Sequence, residues 1–272
     1  MKRLSILLAV LLLLTACSAK PKKHTVPAVD GVVVSLIDTG VSTAAIDPAN
    51  LLPGHNYVTD TGDTEDRINH GTAVASAIVG CETAEVAGLS PDAFLVPLVV
   101  TDKVDGEAKS VTPDVLAQAI RDSIDIYYAD IINVSLGIQK DTDVLREAIA
   151  YADQKEIPMI SAVGNDGETG KPYYPAAYEP VLAVGSCDKN GNKSDFTQNG
   201  AEVLAPGEDI MLASRNGVPY GIKGTSFATG FVSAYAANLL LGNPAMTPEE
   251  LYGEIVQKAA SCGGRLPQTE TS

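Results

Sequence analysis

Apolar residues recur along this chain in two alternating kinds of block: short β-branched runs and longer stretches with helical spacing. Gly31–Ile37 reads Gly-Val-Val-Val-Ser-Leu-Ile, which predicts a strand covered on both faces. His70–Val79 is rich in alanine and ends at Gly80, a helix with a glycine stop. Phe94–Val100 is strand-like. Thr112-Pro113-Asp114 then supplies an N-cap hydroxyl, a proline at the first helical position and an acid in the first turn. The helix it opens is expected to run to about Ala129. Ile131–Val134 predicts a short strand, Asp141–Lys155 a helix and Ile157–Val163 a strand. Val181–Ser186 predicts another strand, and Asn190-Gly191 after it signals a hairpin. Thr225–Leu241 is apolar nearly all round and ends at Gly242, so it belongs in the interior. Thr247-Pro248-Glu249-Glu250 is a capping box for a last helix. The alternation predicts an α/β fold with a mainly parallel central sheet and helices on both faces. No internal repeat and no linker divides residues 30–260, so a single domain is expected.

The start of the chain has a different pattern. Lys2 and Arg3 precede an unbroken apolar run from Ile6 to Leu14, too short to span a bilayer but right for a signal-peptide core. Leu14-Thr15-Ala16-Cys17 follows and resembles the lipobox of bacterial lipoproteins. That resemblance implies cleavage after residue 16 and a diacylglyceryl group on the Cys17 thiol. Two acyl chains give the firm anchoring that one does not. The competing reading is an ordinary secretory signal with a chance cysteine. Residues 17–29 are then a Lys- and Pro-bearing tether, and 261–272 a C-terminal tail. The implied location is the bacterial cell envelope, outside the cytoplasm, with inner and outer membrane both open. Such a location permits disulfides. Cys81, Cys187 and Cys262 remain after Cys17 is lipidated, so at least one is free or pairs between chains. No spacing suits a zinc knuckle or a redox pair.

Charge narrows the partners. The chain of 272 residues carries a net charge of −15, and an acidic surface repels phosphate, which argues against nucleic acid. There is no tryptophan, and aromatic residues make up 5%, too few for a base- or sugar-stacking surface.

Three short motifs carry candidate chemistry. Asp38-Thr39-Gly40 closes the first predicted strand, His70-Gly71-Thr72 opens a helix, and Gly224-Thr225-Ser226-Phe227-Ala228 opens the interior helix. Alone, Asp38 fits a turn aspartate and Ser226 a helix cap. Together they are the parts of a nucleophilic triad. A serine hydroxyl is a poor nucleophile at neutral pH; it needs a neutral imidazole to take its proton and a carboxylate to hold that imidazole. Asp-Thr-Gly also marks aspartic proteases, but the second copy those enzymes need is absent.

Taken together, the motifs resemble the subtilisin-like serine proteases, the subtilases. The order Asp, His, Ser is that family's, and the gaps of 32 and 156 residues are close to those of compact subtilisins. Asn133-Val134-Ser135-Leu136-Gly137 and Ser161-Ala162-Val163-Gly164-Asn165 match the family's substrate-pairing and oxyanion segments. Tyr174-Pro175-Ala176 and Ala205-Pro206-Gly207 match two structural landmarks. The resemblance covers residues 30–260 and implies an endopeptidase working through Asp38, His70 and Ser226, by way of an acyl-enzyme. It implies an oxyanion hole made by the Asn165 side chain and the Ser226 N–H. It also implies a polypeptide substrate bound as an added strand along Ser135, Leu136, Gly137, Ala162, Val163 and Gly164. Tyr173 stands near where the family has a glycine at the pocket floor, so its ring is expected to narrow the pocket. Asp166 and Glu168 are candidates for drawing a basic side chain there. No cofactor is implied.

The chain departs from the family in several places. Thr229-Gly230 replaces a small residue and a proline, which leaves the packing of the helix start open. Ala73 replaces a common histidine. Cys81-Glu82-Thr83-Ala84-Glu85 stands where a calcium loop often lies and lacks its asparagines; the acids in 60–66 and 188–195 do not fit a calcium loop either, so no metal is assigned. The family's N-terminal chaperone domain has no counterpart between Cys17 and Gly31, which implies unaided folding or a separate helper chain. Oligomeric state and natural substrate stay open. A peptide binder that has lost catalysis is disfavoured by the intact Asp38, His70, Ser226 and Asn165. A nucleotide-binding protein would need a glycine-rich turn after the first strand, and the residues there do not supply one.

Overall fold

In a computed structural model of the protein, residues 27–261 and Leu266 are described. The signal segment, Cys17, most of the tether and Cys262 lie outside them. The strands in chain order are β1 (Val33–Asp38), β2 (His55–Asn56), β3 (Gly80–Cys81), β4 (Val86–Ala87), β5 (Phe94–Val99), β6 (Asp102–Val104), β7 (Glu107–Lys109), β8 (Ile131–Val134), β9 (Met159–Ala162), β10 (Val181–Cys187), β11 (Val203–Pro206), β12 (Ile210–Ala213) and β13 (Pro219–Ile222). The helices are α1 (Gly71–Val79), α2 (Pro113–Asp125), α3 (Asp143–Gln154), α4 (Thr225–Gly242) and α5 (Pro248–Ser261). Seven strands form one sheet in the order β11-β10-β9-β8-β1-β5-β2, every pairing parallel. The others form three antiparallel hairpins, β3–β4, β6–β7 and β12–β13.

The β-branched runs became strands because both faces of the sheet are covered. In β1, Val34 and Leu36 face a core shared with α1, α4 and α5, while Val33 and Ile37 face a second core shared with α2 and α3. Alternate residues thus enter opposite cores, each fully buried side chain contributing ~1.5–3 kcal/mol. Helix starts follow the cap chemistry. The Thr112 hydroxyl accepts the Val115 N–H at 3.3 Å, a cap worth ~1 kcal/mol. Thr247 and Glu250 close the capping box, with Glu250 Oε2 accepting the Thr247 N–H at 2.9 Å. The interior helix α4 is buried along almost all of Thr225–Ala237.

Some expectations need correction. The Asn190-Gly191 turn forms, closed by Asp188 N–H to the Asn192 carbonyl at 2.9 Å. No hairpin strand follows, only one bridge between Cys187 and Lys193. β11 holds one edge of β10 over Val184–Cys187 and β9 the other over Val181–Val184, so the returning chain meets only the last residues of β10, by that bridge and by the Ser194 N–H to the Ser186 carbonyl at 2.9 Å. Leu266, assigned to a tail, is buried in the first core, and its N–H donates to the Leu204 carbonyl at 2.9 Å. Thr229-Gly230 leaves α4 intact. The Thr229 hydroxyl bonds back to the Thr225 carbonyl at 2.8 Å. A Cβ on Gly230 would stand 3.1 Å from Val74 Cγ1 and 3.2 Å from the Val74 carbonyl, so glycine lets α1 and α4 pack closely. Cys81 and Cys187 are both buried, and neither forms a disulfide with another described residue.

The topology places the site. From β1 the chain builds first toward β5 and then reverses to β8, so β1 stands at the switch point, where the carboxyl ends of strands frame a crevice. Ile37 pairs with Val134 and Val134 with Ser161. One residue further on, Asp38, Ser135 and Ala162 therefore leave the sheet at the same edge.

Candidate active site

Asp38 is the last residue of β1 and is fully buried. Its Oδ1 accepts the Thr39 N–H at 2.7 Å and meets His70 Nδ1 at 2.7 Å; Oδ2 is buried without a partner. His70 stands directly before α1. The two motifs approach so closely that a Cβ on Gly71 would lie 2.2 Å from the Gly40 carbonyl and 3.0 Å from Asp38 Oδ1, which restricts that position to glycine. Burial pushes the His70 imidazole toward its neutral form. The Asp38 charge and hydrogen bond oppose it, Asp66 adds to them, and together they hold the pKa above the ordinary 6.5.

Ser226 is the second residue of α4, where a backbone N–H has no partner inside the helix. The His70 ring lies 5.2 Å from that of Phe227, the next residue, so the imidazole sits beside the start of α4. The Ser226 hydroxyl donates to the Ser135 carbonyl at 2.7 Å, so its single proton is not on the imidazole. The structure thus brings Asp38 and His70 into direct contact and sets Ser226 on a third element next to them. Ser135 holds Ser226 a second time through its hydroxyl, which donates to the Ser226 carbonyl at 3.0 Å. Behind it, Asn133 Nδ2 donates to Ser135 Oγ, and Ser233 Oγ to Asn133 Oδ1.

Asn165 follows β9. Its Oδ1 accepts both the N–H (2.9 Å) and the hydroxyl (3.1 Å) of Thr225. That pins the oxygen and leaves the amide hydrogens on the exposed side, where Asn165 lines a cavity of about 190 Å³. The same cavity is lined by Ser135, Leu136, Gly137, Ala162, Gly164, Asp166, Tyr173 and Ser226. Val163 does not reach it. That side chain is buried against Ala176 and Ala183, its N–H bonds the Val184 carbonyl and its own carbonyl takes the Tyr173 N–H. Val163 stands just past the end of β9, and its side chain is taken up by this small separate cluster. Tyr173 forms one wall. Its phenol donates to Asp166 Oδ2 at 2.5 Å and accepts from Gln139 Nε2 at 2.9 Å. The ring narrows the cavity, and one oxygen of Asp166 is already in use. Glu168 does not line the cavity.

Asp66 was missed in the sequence. It is fully buried behind Asp38 and His70 and accepts hydrogen bonds from Thr39, Ile68, Asn69 and Thr72. Its position four residues before His70, among turn residues, was the one signal available. A larger cavity, about 530 Å³, lies between 43–50 and the β3–β4 hairpin. The Cys81 thiol there contacts the Thr83 hydroxyl. Cys81–Glu85 belongs to this hairpin, and among the described residues no three His, Cys, Asp or Glu side chains gather as a metal site needs.

Residues 29–270 match the model of the subtilase family. Subtilisin DY of Bacillus licheniformis is 29% identical over 85% of this chain and 85% of its own length. The intracellular serine protease of Paenibacillus polymyxa is 33% identical over 86% of this chain and 75% of its own length. Among solved structures, sphericase superposes with a TM-score of 0.75 at 28% identity, covering 85% of this chain and 84% of its own.

Proposed function

This chain belongs to the subtilase family, and on that premise we propose that Asp38, His70 and Ser226 are the triad of a serine endopeptidase held by lipid in the cell envelope. A subtilisin-like serine protease acts on polypeptides; the triad and the anchor are our reading. The observation that carries the triad is the 2.7 Å contact between a fully buried carboxylate and His70, set beside the helix start that bears Ser226.

A substrate strand lies along Ser135–Gly137, and its main-chain N–H competes for the Ser135 carbonyl. The displaced Ser226 hydroxyl turns to a neighbouring rotamer and faces His70 Nε2; catalytic hydrogen bonds often tighten only in the complex. Ser226 Oγ attacks the scissile carbonyl carbon as its proton passes to Nε2. The carbonyl π electrons move onto oxygen, which the Asn165 amide and the Ser226 N–H stabilise, aided by the partial positive charge at the start of α4. Collapse expels the amine, which takes the proton from His70 and leaves the acyl-enzyme. Water repeats the cycle and releases the carboxylic acid.

A fluorophosphonate is expected to label Ser226 in the native protein and to leave a heat-unfolded sample unlabelled. Equal labelling of both would remove the reading. Asn165→Ala is expected to cut kcat by ~100- to 1,000-fold, the range for loss of this donor in subtilisin. Thr225 loses one acceptor, so folding should survive. A kcat within about threefold of wild type would exclude Asn165 from the oxyanion hole.

For the anchor, the support is the lipobox-like Leu14–Cys17 after a nine-residue apolar run. Radiolabelled palmitate is expected to enter the wild type and not Cys17→Ser, which should leave the membrane fraction. Label retained in Cys17→Ser would refute lipidation at this residue.

A further inference from the structure

Asp66 joins the pieces of chain that carry Asp38 and His70. Oδ1 accepts the Thr39 hydroxyl (2.9 Å) and the N–H groups of Ile68 (2.9 Å) and Asn69 (2.8 Å). Oδ2 accepts the Thr72 N–H (3.0 Å) and hydroxyl (2.7 Å). Thr39 follows Asp38; Ile68 and Asn69 precede His70; Thr72 comes two residues after it. Both hydroxyls pass the linkage on. Thr39 Oγ1 accepts the Gly71 N–H at 2.9 Å, and Thr72 Oγ1 the Ser42 N–H at 3.1 Å. A buried carboxylate is costly unless its lone pairs are filled. Here they are filled by groups whose positions set the triad geometry.

The turn before His70 is held from outside as well. Asn69 has a φ of 79°. Its Oδ1 accepts the Arg215 N–H at 2.6 Å, and its carbonyl accepts the Tyr220 hydroxyl at 2.8 Å. The β12–β13 hairpin therefore closes the turn from one side and Asp66 from the other.

We propose that Asp66 is a positioning residue for the reaction, fixing the distance and angle between Asp38 and His70 through Thr39, Asn69 and Thr72. This rests on the reading of Asp38, His70 and Ser226 as the triad. Asp66 touches neither substrate nor reacting atoms. Its negative charge also favours the imidazolium that forms as Ser226 attacks. The charged and titratable groups around His70 are consistent with this. Asp38 approaches from β1 and Asp66 from the loop before α1. Tyr220 approaches from β13, its phenol pushed up to about 12 by burial and by the charges of Asp66 and Asp38. Phe227 of α4 is uncharged. Arg215 reaches the Asp66 backbone carbonyl, at 3.4 Å, and Arg67 turns away to Asp63 and Asp102.

The test is Asp66→Asn in the full chain, with active enzyme counted by end-point fluorophosphonate labelling so that misfolded molecules do not enter. The amide would set two hydrogens against donors that now meet an oxygen. Expected are a kcat about a hundredfold lower, the scale of a small misplacement, a KM within about twofold, and an acid limb of kcat/KM moved to lower pH. Asp130→Asn serves as control. That carboxylate accepts the Val33 N–H at the opposite, amino end of β1, a bond that an amide oxygen can keep, so kcat and the pH profile should stay at the wild-type values. If Asp66→Asn does not fold, Thr39→Val cuts the relay to Gly71 and is expected to lower kcat about tenfold at constant KM, the scale of one hydrogen bond to a charged group. Wild-type kcat and pH profile in Asp66→Asn, or wild-type kcat in Thr39→Val where the first fails to fold, would overturn the proposal. A wild-type protein that neither labels at Ser226 nor hydrolyses casein would instead remove the triad reading beneath it.

Discussion

Ser226→Ala is expected to leave a folded protein whose casein hydrolysis falls on the order of a million-fold, the loss known for the nucleophile of subtilisin. The structure explains why stability and activity should separate. The hydroxyl makes one hydrogen bond, to the Ser135 carbonyl, worth ~1 kcal/mol. That carbonyl borders the substrate cavity, where water can replace the lost donor. The Ser226 carbonyl keeps its bond from Ser135 Oγ, so the helix start stays in place. What disappears is the only atom proposed to bond to the scissile carbon. The remaining donors still favour the transition state and leave a residual rate. Casein hydrolysis and fluorophosphonate labelling would be measured beside a thermal melt. Wild-type hydrolysis by purified Ser226→Ala would end the triad assignment, whereas a lost melting transition would show a role in folding that its one hydrogen bond does not supply.

Asp38→Asn is expected to cost about ten-thousandfold in kcat, as the equivalent change does in a serine protease of another fold. An amide keeps one oxygen for Thr39 and His70 but carries no charge to balance an imidazolium in a buried site. It also sets an NH₂ where Oδ2 now has no partner. The pH profile should move with it. In the wild type the His70 pKa is raised from 6.5: burial lowers it, but the charge and hydrogen bond of Asp38, together with the charge of Asp66, outweigh burial. His70 must be neutral to accept the serine proton, so activity is low below that pKa and rises as pH passes through it. In Asp38→Asn burial acts with less opposition, the pKa falls, and the acid limb shifts to lower pH. A variant with a wild-type acid limb and a loss under about tenfold would mean that Asp38 does not govern His70.

Much of the fold was legible because its signals are local. Val33, Val34, Leu36 and Ile37 form a run that only a strand buried on two faces explains, and Thr112, Pro113 and Thr247 mark helix starts by cap chemistry. What failed was non-local. Asn190-Gly191 signals a turn correctly, yet whether a strand follows depends on whether β10 has a free edge, and its neighbours come from residues 159–162 and 203–206. The β3–β4, β6–β7 and β12–β13 hairpins are too short to show a period-2 pattern. Leu266 is one apolar residue in a polar segment, and only its landing site on β11 makes it part of the core.

The site divides in the same way. Asp38, His70, Ser226 and Asn165 stood out as candidates because each sits in a short motif at an element boundary. The linear order also put Ser135–Gly137 and Gly164 near the cavity, but not the direction of Val163, which packs against Ala176 and Ala183 from later in the chain. The acceptor now holding the Ser226 hydroxyl, the Tyr173–Asp166 contact across the cavity and the five donors converging on Asp66 were decided only by the tertiary structure. The chain by itself determined which segments become strands and helices and which side chains can do chemistry, since propensity, caps and side-chain pKa are properties of a few neighbouring residues. Distances between residues 38, 66, 70 and 226 are set by the packing of β1, α1 and α4 through two cores, and that depends on every part of the chain at once.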